Sequence, residues 1–491
     1  MSEPKNNSQL GTQAASGFVW SFLGRFSEQG FRFVVGIIIA RILDPAEFGI
    51  IGMVTLIIAT SKTCLINGFG AAIVQDQTNN RSIEFWVFLT NMAVAIILFA
   101  AVQIGAPWIS VYFDNSRLTA LSRALSFLYL INAVGMVSSA LLQKNMKFKK
   151  IAMINLIASV ISGVIGVIAA VTGSGVWALV IQQVVFSAFQ VGLTCLACPW
   201  FPSMKNLTHS RSGVVFGANV FVSRFIFNVF DNIYLVLIGK NFGEADLGFF
   251  TRAKRMQRLP ADSITLAANH VLFPVFSKVS DDPMRLSAAA KHTLSSLALI
   301  VFPLMIGIAV CSHEIILLLL KKKWLPSVPL MHIFCLIGAL YPINNINVAV
   351  LKSLKCGRTV LFINVVRNTL IIVSFFVAYR WGLEAVLWGA VAVSVFTLFT
   401  SSYFTQKHIS YSVLQQLRDV SPYIVMSIGM GLLMLVTERL FQTSPVSGLI
   451  MKSVVGILFA LAFCYAYQPL GYRNIQRMRQ HLPIGRSRGN Q

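Results

Sequence analysis

The residues best placed to do chemistry in this chain are charges set inside apolar stretches. Residues 16–50 read SGFVWSFLGRFSEQGFRFVVGIIIARILDPAEFGI, and within them Arg25, Glu28 and Arg32 recur at i, i+3 and i+7. At about 100° per residue the three fall within roughly 60° of one helical face. A charge at the bilayer centre costs at least ~2.5–3.5 kcal/mol on insertion scales, so such a face turns toward water or protein. Glu28 is spaced to pair with either arginine, which leaves the stripe with a net positive charge. Two readings follow: a self-neutralised structural triad, or the cationic wall of a cavity that receives an anion.

A second stripe stands in TRAKRMQRLP, residues 251–260. Arg252, Arg255 and Arg258 recur every third residue and cover about 120° of a helix, with Lys254 at i, i+4 from Arg258. No acid lies within the stretch. Such cations suit an anionic ligand, diphosphate in particular, because guanidinium grips phosphate bidentately. The alternative is a basic interfacial turn whose stems snorkel toward lipid headgroups. Arg367, between Asn364 and Asn368, is a further candidate for a cavity wall, whereas His270 reads more readily as a satisfied interior histidine.

Other chemistries find no support. There is no Gly-rich phosphate loop, no H-E-x-x-H pair and no acid pair with a basic partner in a soluble domain, so an enzyme is not expected. Seven cysteines are scattered, and Cys195 and Cys198 form a CxxC without a second pair or nearby histidines. A metal site needs about four ligands, so neither a metal nor an organic cofactor is expected.

The elements that must position these charges are membrane helices. Of 491 residues, 56% are hydrophobic and 12% charged, with a mean hydropathy of +0.72. No single soluble core hides that much apolar surface, so the bilayer acts as solvent. Fourteen candidate spans start near Gly17, Glu47, Ile83, Leu118, Ile151, Val176, Gly213, Gly248, Thr293, Leu330, Val360, Leu383, Val420 and Val446. The fourth and eighth are the most polar. No cleavable signal peptide is visible in the polar residues 1–15, so the first span is expected to be retained.

The first helix and its turn recur 199 residues later as SRFIFNVFDNIYLVLIGKNFGEADLGF. Arg25-Phe26 matches Arg224-Phe225, and Ala46-Glu47-Phe48-Gly49 matches Ala245-Asp246-Leu247-Gly248. Asp231 takes the place of Arg32. The recurrence of Arg224 favours the cavity reading of the first stripe. The offset predicts a cytoplasmic segment 1–15, a six-helix lobe 16–200, a cytoplasmic linker 201–211 and a second six-helix lobe 212–406. Two extra helices, 407–470, and a basic tail, 471–491, complete the chain.

The net charge of +23 would suggest nucleic acid in a soluble protein. Here basic cytoplasmic loops and an anion pathway account for it, and no nucleic-acid partner is expected. Counting alternate loops places fifteen basic residues on one side, among them Lys144, Lys147, Arg285 and Arg358, and six on the other. Both termini are therefore expected in the cytoplasm. An even helix number per half makes the repeats parallel, the arrangement of transporters that bind substrate between two halves and expose it alternately.

The opening resembles the polysaccharide transporter family of Wzx-type oligosaccharide-lipid flippases, in the superfamily shared with MATE exporters and lipid II flippases. The residues that carry the resemblance are Trp20, the polar first helix with Arg25 and Gln29, and the turn Ala40-Arg41-x-Leu43-x-Pro45-x-x-Phe48-Gly49. GEADLGFFTRAKRMQRLP resembles the matching signature of the second half, and the variant is closest to exopolysaccharide or O-antigen flippases, the colanic-acid type among them.

The resemblance implies two six-helix lobes around a cationic cavity in the bacterial inner membrane. It implies as substrate an oligosaccharide repeat unit on undecaprenyl diphosphate, moved to the periplasmic leaflet, and as partners membrane lipids, a polysaccharide polymerase and chain-export machinery. Arg25, Arg32, Arg224, Arg252, Lys254, Arg255 and Arg258 would hold the diphosphate; Glu28 and Asp231 would weaken that grip or exchange Na⁺ or H⁺. Two rivals remain: a lipid II flippase, which shares the anionic-headgroup logic, and a Na⁺- or H⁺-coupled MATE-type exporter, which would want embedded acids. A polymerase would need a large periplasmic loop, and no loop here is that large.

Overall fold

The computed structural model describes residues 7–76, 81–202, 211–441 and 444–474; side chains of 7–19, 21–23, 61, 62, 64, 67, 211–213, 231 and 261–275 lie outside that description. Among the described residues every regular element is helical. In chain order they are α1 (Asn7–Ile42), α2 (Pro45–Met53), α3 (Thr55–Thr60), a π-helical stretch (Ser61–Phe69) and α4 (Gly70–Gln75). Then come α5 (Arg81–Phe113), α6 (Arg117–Lys144), α7 (Phe148–Val171), α8 (Trp177–Ala197) and the long α9 (Arg211–Lys278). The remainder is α10 (Pro283–Val310), α11 (Ser312–Leu320), α12 (Ser327–Ser353), α13 (Gly357–Ala378), α14 (Leu383–Ile409), α15 (Val413–Leu440) and α16 (Pro445–Tyr467). The chain divides into two compact units, Met1–Gly248 and Phe249–Gln491.

Eleven described helices are long and apolar enough to cross a membrane by length and composition, against fourteen expected. The difference has three sources. Helix α1 is 36 residues long but carries Arg25, Glu28, Arg32 and Arg41. The second expected span is broken into α2, α3, the π-helical stretch and α4, none of which alone reaches bilayer length. The seventh and eighth run together in α9, which breaks at Gly243, where φ is +86°.

The outward faces of these helices are apolar, as lipid requires. On α5, Ile97 is 66% exposed, Ile104 68% and Val111 73%. Packing inside each unit uses small residues that let backbones approach, because lipid supplies no hydrophobic drive between helices. In the first unit Val35, Ile39 and Leu43 of α1 pack on Ala169 and Ala170 of α7 and on Ala178 and Leu179 of α8. Helix α6, the polar fourth span of the sequence, is the enclosed helix of that unit and buries Ser122, Ser126, Asn132 and Ser138. In the second unit α12 is the enclosed helix, with Asn347 bonded to Ser402 at 2.9 Å and to Gln416 at 3.0 Å.

The repeated turn shapes the first unit. Asp44 ends α1 in extended conformation, and its N–H donates to Glu47 Oε2 at 3.0 Å. Gly243 breaks α9 at the position that the 199-residue offset assigns to Asp44. The two turns then dock reciprocally. A Cβ on Gly49 would overlap the Glu244 carbonyl, and one on Gly248 would overlap the Pro45 carbonyl. Glu244 corresponds to Pro45 and Gly248 to Gly49 at that same offset. The α5–α6 loop holds the second turn in place: Asn115 Nδ2 donates to Glu244 Oε1, and Lys240 pairs with Asp114 at 2.7 Å.

Candidate functional site

Helix α1 carries the first charged stripe past α7 and α8. Glu28 accepts from Arg32 at 3.4 Å, and the Arg32 guanidinium lies over the Phe186 ring of α8, 4.6 Å from its centroid. The pairing is therefore one-sided. Arg25 is exposed and makes no ion pair among the described residues. It opens into a cavity of about 300 Å³ enclosed by α1, the π-helical stretch, α6, α7 and α8.

That cavity is polar. Ser139, Gln143, Asn155, Gln190 and Thr194 line it beside Arg25. Gln190 Nε2 donates to Asn155 Oδ1 at 2.7 Å, and Thr194 Oγ1 donates to the Gln190 carbonyl at 2.6 Å. Close helix packing sets the walls: a Cβ on Gly24 would overlap Ala152 of α7, and one on Gly135 would lie 2.8 Å from Val191 of α8. The π-helical stretch contributes Ile66 to the wall and packs its Phe69 against Phe221 of α9, centroids 5.3 Å apart. Inserted turns of this kind recur at functional sites, since they redirect side chains that a regular helix would keep on one line.

Arg224 lies one turn from Phe221 in α9 and is exposed, again without an ion pair among the described residues. Its carbonyl accepts from Asn228 Nδ2 at 2.9 Å. The side chain of Asp231 lies outside the described residues, as does that of His270.

In the second unit the structure separates the Arg252 stripe. Residues 252, 253, 256 and 257 form the buried face of α9, while Arg255 and Arg258 are exposed. Arg252, 7% exposed, stacks over Trp324 at 5.6 Å, and Trp324 is itself fully buried. Lys254 lies over its neighbour Phe250 at 5.6 Å. Arg367 donates to the adjacent Asn368 Oδ1 at 3.2 Å.

The structure also shows a charge cluster that sequence reasoning passed over. Lys452 of α16, whose side chain is 1% exposed, pairs with Glu314 of α11 at 2.6 Å and with Glu438 of α15 at 2.9 Å. The signal was available, since a lone lysine in GLIMKSVVGILFALAF needs a partner for the same reason as Arg25 does. Its partners lie 138 and 14 residues away in sequence, and the nearer one sits beyond a turn. Because every charge in the cluster is answered within the protein, we place it with the scaffold rather than the site.

Comparison with known proteins gives a consistent picture. The family described as "Polysaccharide biosynthesis protein" matches residues 38–329, more than half of the chain. The chain is 26% identical over 374 residues to the teichuronic acid biosynthesis protein TuaB of Bacillus subtilis (strain 168), covering 74% of this chain and 77% of that one. It is 24% identical over 343 residues to the lipopolysaccharide biosynthesis protein WzxC of Escherichia coli (strain K12), covering 68% and 69%. The succinoglycan biosynthesis transport protein ExoT of Rhizobium meliloti (strain 1021) is 27% identical over 323 residues, covering 65% and 64%.

Among solved structures, the lipid II flippase MurJ in an inward closed conformation superposes with a TM-score of 0.73 at 14% identity, over 94% of this chain and 99% of that one. A multidrug-resistance MATE transporter in its inward-facing conformation gives 0.62 at 16% identity, over 78% and 94%. These likenesses show the fold, an all-helical multi-pass membrane architecture. With its repeated turn, its embedded arginines and the match over residues 38–329, this chain belongs to the polysaccharide biosynthesis protein family.

Proposed function

We propose that this chain is a flippase that moves undecaprenyl-diphosphate-linked oligosaccharide repeat units across the bacterial inner membrane by alternating exposure, for exopolysaccharide, capsule or O-antigen synthesis. The observation that carries the reading is a set of cations in apolar helices with no acid answering them. Arg25, Arg224 and Arg258 are exposed and make no ion pair among the described residues. In a bilayer such charges are retained where an anion comes to them. A diphosphate headgroup meets that need, and the relatives named for teichuronic acid, lipopolysaccharide and succinoglycan synthesis support a saccharide cargo.

In this reading both termini face the cytoplasm, the chain performs transport without bond-making chemistry, and the cycle is coupled to Na⁺ or H⁺. Glu28, held by Arg32, and Asp231 are the acids available for that exchange. A MATE-type export of cations is disfavoured, because the one described acid of the first stripe is already paired with an arginine. A lipid II cargo shares the headgroup chemistry and is the second reading, which the MurJ-like fold supports.

The test is complementation of a flippase-null polysaccharide strain with wild type and with Arg224→Ala/Arg258→Ala. The expected result is full surface polymer with wild type, and loss of polymer with lipid-linked repeat units trapped on the cytoplasmic face for the variant, at equal membrane abundance. Undiminished polymer in the variant overturns the role of these cations. Complementation of a lipid II flippase-null strain instead moves the assignment to the second reading.

A further inference from the structure

The turn between α12 and α13 carries a pair of side chains that transport leaves unused. Cys356 stands at the start of α13, and His408 is the penultimate residue of α14. The fold brings them together across 52 positions of sequence, with Cys356 Sγ 3.5 Å from His408 Nε2.

The second ring nitrogen fixes the chemistry of the first. His408 Nδ1 lies 2.9 Å from the carbonyl oxygen of Phe404, one turn back in α14. A carbonyl only accepts, so Nδ1 carries the proton, and in the neutral ring Nε2 is left as a lone pair facing the thiol. Nucleophile, base and a group that orients the base thus stand in one line of hydrogen bonds, the arrangement that activates thiols. When the thiol proton passes to Nε2, the imidazolium donates on both sides, to the Phe404 carbonyl and to the thiolate. The negative charge then sits at the N-terminal end of a 22-residue helix, where the first-turn N–H groups favour an anion.

Packing and charge define what reaches the pair. Leu351, Val360 and Ile363 form a buried cluster on which Cys356 and Phe404 pack. Cys356 is half-buried and His408 exposed, so the pair lies at the rim of that cluster. Lys352, Lys355, Arg358 and Lys407 flank the two residues in sequence and are all exposed, and neither 346–366 nor 398–418 contains an acid. Such a turn draws a carboxylate-bearing reagent and repels a cationic one.

We infer that Cys356 and His408 form a thiol-modification site whose reagent is an anionic low-molecular-weight disulfide. The Cys356 thiolate attacks one sulfur of the reagent, a new S–S bond forms, and the reagent's own S–S bond breaks. The departing thiolate takes the proton from His408 Nε2. Cys356 is oxidised and the departing sulfur reduced, so no further oxidant is needed. This chemistry is independent of the cargo, and in the proposed topology the turn faces the cytoplasm.

The experiment incubates the purified full-length protein in nanodiscs with oxidised glutathione, which is anionic, or with cystamine, which is cationic. Each cysteine is followed by peptide mass spectrometry. In a Cys195→Ser background Cys198, a half-buried thiol at the C-terminal end of α8, is the internal reference. Cys356 is expected to react about tenfold or more faster than Cys198, and faster with oxidised glutathione than with cystamine. His408→Gln should bring the Cys356 rate down to that of Cys198, with an unchanged Cys198 rate as the check that the fold stands. Lys355→Gln/Lys407→Gln should remove the preference for the anionic reagent. A Cys356 rate no higher than that of Cys198, or one that His408→Gln leaves intact, overturns the pair. Equal or faster reaction of the starting protein with cystamine overturns the selection by charge.

Discussion

The reciprocal docking of Gly49 and Gly248 makes a quantitative prediction about the repeated turn. A methyl on either glycine would lie inside the carbonyl group of the opposite turn, Glu244 in one case and Pro45 in the other. Both obstacles are backbone, so no rotamer change relieves them. Restoring ordinary contact requires the turns to part by more than about 1 Å, in an interior packed like an organic crystal. Overpacking of this kind costs ~1–3 kcal/mol, and backbone-on-backbone overlap belongs at the upper end. Gly49→Ala and Gly248→Ala should each lower the Tm in detergent by several degrees.

The double variant should lose clearly less than the summed single losses, because turns parted by the first methyl already admit the second. Gly105→Ala is the control. Its Cβ meets nothing within 4 Å inside α5, and the exchange should be neutral or stabilising by up to ~1 kcal/mol. The assay is thermal unfolding of the purified chain followed by intrinsic fluorescence. A Gly49→Ala protein as stable as the Gly105→Ala control, or strict additivity of the two turn variants, refutes the reciprocal contact.

Two further perturbations test the second unit. Lys452→Met should cost ~3–5 kcal/mol, because it strands the buried Glu314, whereas Glu438→Gln should cost little, since Glu438 is 50% exposed and Glu314 stays paired; Lys452→Met/Glu314→Leu should recover much of the loss in the same thermal assay. Tyr411, in the turn before α15, donates to Asp419 at 2.8 Å, and burial, reinforced by that hydrogen bond and the carboxylate charge, pushes its phenol well above the usual value. A raised folded pKa means that its stabilising contribution is complete below the ordinary phenol value of 10.0 and is lost only as pH rises through the higher folded value. Ultraviolet titration of wild type against Tyr411→Phe should accordingly show no difference near pH ~10, and a phenolate signal missing from the variant there would refute the buried contact.

How much of this was legible in the sequence depends on how local each feature is. The all-helical membrane class follows from composition, and the duplicated turn from a direct comparison of residues 40–49 with 239–248. Span number was less legible where helices are irregular: nothing in TLIIATSKTCLINGFG announces a π-helical stretch, and only the +86° φ of Gly243 separates the two halves of α9. The Arg252 stripe shows the limit most sharply. With Arg252, Arg255 and Arg258 recurring every third residue, the sequence suggests one shared cationic face. The buried face instead follows 252, 253, 256 and 257, because Trp324, a distant residue, offers a ring to the Arg252 guanidinium. The Gln190–Asn155 pair was equally invisible, since amides are common and only the packing of α7 on α8 brings these two together.

These embedded charges sort by whether the protein itself answers them, and that sorting separates scaffold from site. Lys452 is answered by two carboxylates, Arg252 by a buried indole, and Arg32 by Glu28 and the Phe186 ring. In each case a partner within the fold meets at least part of the cost of a charge in an apolar helix, and removing the charge should be felt as lost stability. Arg25, Arg224 and Arg258 are different: they stand exposed on otherwise apolar helices with no ion pair among the described residues. On the proposed flippase reading a charge kept there is compensated by the anionic cargo, so its removal is expected to be felt in binding and transport while the fold stands. In that reading the anion that would answer Arg25 and Arg224 is the diphosphate of the lipid-linked cargo.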